Sequence, residues 1–224
     1  MPTETFRNLE PHKQRRILDA AVDEFARHGF LQASMNRVVQ AVGIAKGSLF
    51  QYFGTKEGLF RFVFDHAVER VKGGLRRVRE ETAQADFFER MRRSLLAGVR
   101  FIDEHPDIYR IYLKMLFQEN FPLRHEFLQQ VHLFSARYLA PMVEQGMARG
   151  ELRPDLNVKM TVFFLDAVMD RFLQAYCVRF LDAGAGLYQA SEEEIQAGVA
   201  ECVAVLRQGL GAEAVKPPRE TETS

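Results

Sequence analysis

Two short helical segments, separated only by Gly43, Ile44 and Ala45, constrain this chain more than any other feature in it. Ser34 stands as an N-cap before the first segment, whose inward side is Val38, Val39 and Val42. Gly43 stops it after barely two turns, since a glycine takes up the left-handed backbone of a helix end without strain. A new helical pattern runs from Lys46 to Phe53, with Leu49 and Phe53 one turn apart, and Gly54 closes it. Two short helices joined by such a turn are the signature of a helix-turn-helix. The turn alone favours an ordinary helical hairpin in a bundle.

The flanking sequence continues the helical pattern. Pro11 opens a helix to about Arg27, with Leu18, Ala21, Val22 and Phe25 on one face and Gly29 as its left-handed cap. Thr55 caps a helix from Lys56 to about Glu81, and Asp86 opens another with Phe88, Met91, Leu95, Val99 and Ile102 on one stripe. His105-Pro106 breaks that pattern before a short helix over 107–117. A loop over 118–121 precedes a long helix from Pro122 to about Ala148, with a kink expected at Pro141. Gly150 to Pro154 reads as a turn, Asp155 caps an apolar helix reaching about Asp182, and Ser191 with Glu194 forms a capping box for the last helix. The tail from Glu213 reads as disordered. No strand pattern and no repeat occurs, so the chain is expected to be all-α.

Composition agrees and narrows the function. With 15 Gly and 8 Pro spread thinly over 224 residues, a many-turned β-sandwich is disfavoured. Thirty basic and thirty acidic side chains cancel, so a DNA contact has to come from a local arrangement. Cys177 and Cys202 make neither a disulfide scaffold nor a four-ligand zinc site. The most apolar stretch, Met160 to Leu181, is interrupted by Asp166, Asp170, Arg171 and Arg179, which argues against a membrane span. The N-terminus has no apolar core like that of a secretory signal, and the expectation is a reduced, cytoplasmic protein. No histidine follows a Glu by three residues, no two histidines lie four apart, and no nucleophile elbow or phosphate loop is present. No metal, cofactor or catalytic residue is therefore expected.

Three features favour the helix-turn-helix over the hairpin. The outward positions of the second segment, Lys46, Gly47, Ser48, Gln51 and Tyr52, are small or hydrogen-bonding, and such a face fits a major groove. Lys56 sits in the first turn of its helix, where the macrodipole disfavours a cation unless a phosphate lies between them. Ser34, Asn36 and Arg37 crowd another helix N-terminus, itself an anion site.

The stretch from Lys13 to Phe60, KQRRILDAAVDEFARHGFLQASMNRVVQAVGIAKGSLFQYFGTKEGLF, closely resembles the DNA-binding domain of the TetR family of bacterial transcriptional regulators. A weaker match is GMARGELRPD over 146–155, similar to the family's turn before its penultimate helix. The resemblance implies a three-helix DNA-binding head over residues 1–54, a helical effector-binding and dimerisation body over 55–212, and the tail over 213–224. Carried over by position, Lys46, Gly47, Ser48 and Gln51 face bases, while Ser34, Arg37, Tyr52 and Lys56 face phosphates. Phe50 departs from the family, which usually has a phosphate-binding tyrosine there. The implied partners are a palindromic double-stranded operator, a second copy of the chain through its last two helices, and a small-molecule effector.

The body offers candidates for an apolar effector pocket: His66, Tyr109, Tyr112, Met115, Phe134, Tyr138, Phe163, Asp166, Asp170, Phe172 and Tyr176. Each aromatic, taken singly, is better read as packed core, and the polar members can equally satisfy one another. The function expected is a ligand-responsive dimeric regulator, in the repressor mode. The competing reading is a helical small-molecule-binding protein or enzyme with a vestigial helix-turn-helix.

Overall fold

Helix follows helix through the computed structural model, which describes residues 2–118, 121 and 123–212. In chain order these are α1 (Glu4–Arg7), α2 (Pro11–Gln32), α3 (Met35–Val42), α4 (Ser48–Phe53), α5 (Lys56–Glu81) and α6 (Phe87–Glu104). There follow α7 (Pro106–Phe117), α8 (Arg124–Ala148), α9 (Val158–Cys177), α10 (Arg179–Asp182) and α11 (Glu192–Leu210). Extended pairing among the described residues is a single antiparallel bridge between Leu152 and Gly211. The expected start at Pro122, part of the loop over 118–121, and the tail over 213–224 lie outside the described residues.

Packing sorts the chain into two units. The first is drawn from residues 1–80 and 97–134. Its core is built on phenylalanine: Phe60 meets Phe25 edge-on at 4.9 Å, and Phe30 stacks on Phe121 at 4.5 Å between ring centres. Ile17, Leu49 and Leu59 are buried in the same core. α7 packs against α2 within this unit.

Several element ends differ from the sequence expectation. α1 was not foreseen; its one apolar anchor, Phe6, is buried 4.8 Å from the Phe53 ring. Gly29 has φ +67° and ψ −177°, so it breaks the helix without forming a left-handed cap, and one more turn follows to Gln32. Gly43 does take the left-handed conformation, φ +73° and ψ +39°. Lys46 and Gly47 lie in the turn ahead of α4, which starts at Ser48.

The second unit is drawn from residues 81–96 and 135–224. Asp86 caps α6 through the Glu89 amide, at 2.7 Å, and also receives Arg207 at 3.0 Å. That guanidinium lies 4.2 Å over the Phe88 ring. The cap of α9 is Asn157, whose side chain accepts from the Met160 amide; Asp155 is two residues too early. Val178, in extended conformation, ends α9 before α10, so the apolar helix is interrupted short of Asp182. α8 runs on through Pro141. The Ser191–Glu194 capping box is present in both directions.

Candidate nucleic-acid interface

Burial of Leu49 and Phe53 decides which way α4 faces. Leu49 is wholly buried and Phe53 nearly so, which turns Lys46, Gly47 and Gln51 to the solvent and leaves Ser48 and Tyr52 half-buried. Two backbone clamps hold this short helix. The Thr3 amide donates to the Tyr52 carbonyl at 2.9 Å, and the Thr3 hydroxyl donates to the Gln51 carbonyl at 3.2 Å. On the other side α5 approaches so closely that a Cβ at Gly58 would run into the Phe53 carbonyl oxygen. α4 thus presents a polar edge on a rigid mount.

Beside it opens a cleft of about 330 Å3, lined by Ala33, Ser34, Met35, Asn36, Phe50, Gly54, Thr55 and Lys56. The Lys56 ammonium donates to the Leu31 carbonyl at 3.0 Å and the Ala33 carbonyl at 3.3 Å, and lies 4.8 Å over the Phe30 ring. An ammonium has three donors, so one is left for a ligand in the cleft. The Thr55 hydroxyl caps α5 through the Gly58 amide at 3.1 Å. Phe50, half exposed, supplies apolar wall and no hydrogen bond.

Arg37 is tied more firmly. Its Nε lies 2.9 and 3.1 Å from the two carboxylate oxygens of Glu24, and one Nη donates to the Gln32 carbonyl at 2.7 Å. The Ser34 amide donates to the same carboxylate at 2.7 Å. Burial alone would raise the Glu24 carboxyl, but the Arg37 and Ser34 hydrogen bonds outweigh it and hold the group below its ordinary range. Ser34 occupies the N-cap position of α3 without a side-chain cap bond. Sequence reasoning missed Glu24 and Thr3, because their partners are distant in sequence and no spacing signals them.

The effector candidates separate by unit. In the first unit His66 receives the Arg70 Nε–H at 3.1 Å, Tyr109 and Tyr112 lie 5.6 Å apart, Met115 is buried, and Phe134 lies 6.0 Å under the Lys72 ammonium. In the second unit the Tyr138 hydroxyl hydrogen-bonds Ser94 at 2.8 Å. Gln174, buried, donates to Asp170 at 2.6 Å, and Phe172 is buried beside Gly198. Asp166 and Tyr176 are half-buried. Phe163 is 67% exposed, since α9 turns its Leu165 and Phe172 side inward.

Residues 17–63 match the family of "Bacterial regulatory proteins, tetR family", and residues 85–211 match "Tetracyclin repressor-like, C-terminal domain". The regulator UidR of Escherichia coli K12 is 27% identical over 148 residues, 65% of this chain and 72% of its own. A TetR family regulator from Chloroflexus aurantiacus superposes with a TM-score of 0.68 at 29% identity, covering 94% of this chain and 99% of that one. FadR of Bacillus subtilis, solved with stearoyl-CoA, has a TM-score of 0.69 at 17% identity, covering 87% and 98%. A helix-turn-helix with a solvent-facing polar edge, beside a cleft lined by Lys56, fits a DNA-binding regulator. The chain belongs to the TetR family and is a ligand-responsive DNA-binding transcriptional regulator. Among the described residues no helix is long and apolar enough to cross a membrane.

Proposed function

We propose that this regulator is a cytoplasmic dimeric repressor, released from a palindromic operator by a small effector with an apolar body. The observation that carries it is the solvent-facing edge of α4 beside the cleft. Lys46, Gly47, Ser48 and Gln51 read bases from the major groove, where Gln and Lys match base-edge donors and acceptors. Ser34, Tyr52 and the third donor of Lys56 face phosphates, which set the register of the head on the duplex. Arg37, already paired with Glu24, adds an exposed cationic edge at the same place. By role, residues 1–54 form the head and 55–212 the body.

Dimerisation rests on α9 and α11. Met160, Phe163 and Phe164 are exposed by 62%, 67% and 48%, at spacings of three and four residues, so they form one uncovered apolar stripe. Val205 of α11 is exposed by 68%. Paired with their copies, these helices make an isologous four-helix interface. Two heads so joined fit half-sites about one helical turn, ~34–36 Å, apart. α5 starts at the cleft and carries His66 and Val71 further along, so an effector beside those residues tilts it and alters head spacing. The stearoyl-CoA held by FadR supports an effector with an apolar portion.

A gel shift of the effector-free chain with DNA flanking its own gene, at low salt, tests this reading. A specific complex is expected. Its absence with every flanking fragment would overturn the proposal in favour of a ligand-binding protein with a vestigial helix-turn-helix.

A further inference from the structure

Arg70 on α5 is held in a way that no other arginine described above shares. Arg37, Arg61 and Arg92 each face a carboxylate: Glu24, Glu126 and Glu89. Arg70 faces two imidazoles instead. Its Nε–H donates to Nε2 of His66 at 3.1 Å, and Nη1 lies 3.3 Å from Nε2 of His105. Both rings are half-buried, and burial, reinforced by the Arg70 charge, pushes both below the ordinary histidine range. The histidines are therefore neutral acceptors at pH 7. His105 also engages the Glu104 backbone, and its ring stands 5.2 Å from the Phe101 ring.

Neutral acceptors orient a guanidinium without cancelling its charge. Of the five guanidinium donors, two are used, and the Nη2 edge has no hydrogen-bond partner among the described residues. The other charges felt here are Arg15 and Asp19 of α2 and Glu104 of α6, and neither carboxylate forms an ion pair with Arg70. A half-buried, fully charged fork, fixed in direction and left open on one edge, matches the planar geometry of an oxyanion. His105 holds the N-cap position of α7, whose Tyr109 and Met115 are buried in the same unit.

We propose that Arg70, positioned by His66 and His105, binds the oxyanion headgroup of an amphiphilic effector, a carboxylate or a phosphate on an apolar body. This rests on the ligand-responsive reading above and adds to it the chemistry of the ligand's polar end. Protons follow the anion: a bound negative charge beside the two imidazoles raises their affinity for a proton.

The test is calorimetric titration of the full-length chain with sodium decanoate, decyl phosphate and 1-decanol, alongside NMR of the His66 and His105 imidazoles. At least one anion is expected to bind about tenfold or more tighter than the alcohol of equal length. That anion is also expected to move both imidazole titrations to higher pH, and which anion does so separates carboxylate from phosphate. Arg70→Gln should abolish the preference for the anion while leaving the alcohol's affinity unchanged, and Arg70→Lys should retain part of it. Equal binding of all three probes, no binding of either anion, or a preference that survives Arg70→Gln would overturn the proposal. Operator binding by ligand-free Arg70→Gln is measured in parallel. Loss of anion preference with normal DNA binding isolates this site, whereas failure of the wild-type chain to bind DNA strikes the functional reading and leaves the anion result intact.

Discussion

Glu24 of α2 grips Arg37 of α3 through both carboxylate oxygens, from 13 positions away in the sequence. The same carboxylate takes the Ser34 amide, so one buried acidic group fixes both the start of α3 and an arginine at the edge of the proposed DNA-facing surface. The ion pair is a positioning device within the head.

Replacing Glu24 by Gln should lower the stability of the chain by about 1–3 kcal/mol, since a charged acceptor shared by two donors is lost. The carboxyl is held below its ordinary range, so its contribution is present above the unfolded-state value and disappears as pH falls through the lower folded value. Urea unfolding at several pH values checks this: the difference between wild type and Glu24→Gln should shrink on acidification below about pH 4.

The mount of α4 is sensitive to single atoms. Leu49→Ala removes a wholly buried side chain and should cost about 2–5 kcal/mol. Gly58→Ala should also destabilise, because the added methyl meets backbone oxygen that no rotamer change can move aside. Thermal melts followed by circular dichroism measure both, with Gly73→Ala as the control, since open space surrounds that glycine.

Base and phosphate contacts separate by their dependence on sequence and salt. Gln51→Ala should weaken cognate DNA by ~1–3 kcal/mol with little effect on random duplex. Lys56→Ala should weaken both alike and reduce the slope of log affinity against log salt by about one. Identical effects of the two variants on cognate and random DNA would show the assignment to be wrong.

Phe163→Glu places a charge in the exposed stripe of α9 while leaving the buried side of that helix untouched. Sedimentation should then show a monomer, with normal helicity and weakened operator binding. A dimer that survives the substitution would move the interface elsewhere.

What could be read in advance was local. Gly43, the Ser191–Glu194 box and the start of α5 at Lys56 announce themselves over a few residues, since caps and positive-φ turns depend on immediate neighbours. The Glu24–Arg37 pair, the clamp of Thr3 on α4 and the carbonyls around Lys56 are tertiary, joining residues far apart in sequence, and no spacing encodes them. Phe163 illustrates the same boundary: an apolar residue on an apolar helix reads as interior until the helix's orientation is known. Asp155 and Asn157 are both good caps, and only the backbone shows which one caps α9.

The most direct measurement compares the effector-free chain on a duplex from its own upstream region with a random duplex of equal length, at one fixed salt concentration, and footprints the tighter complex. The expected result is a preference of about a thousandfold or more, with protection over two half-sites one helical turn apart. Equal affinities for the two duplexes, with no footprint, would contradict the assignment of α4 as a reading helix.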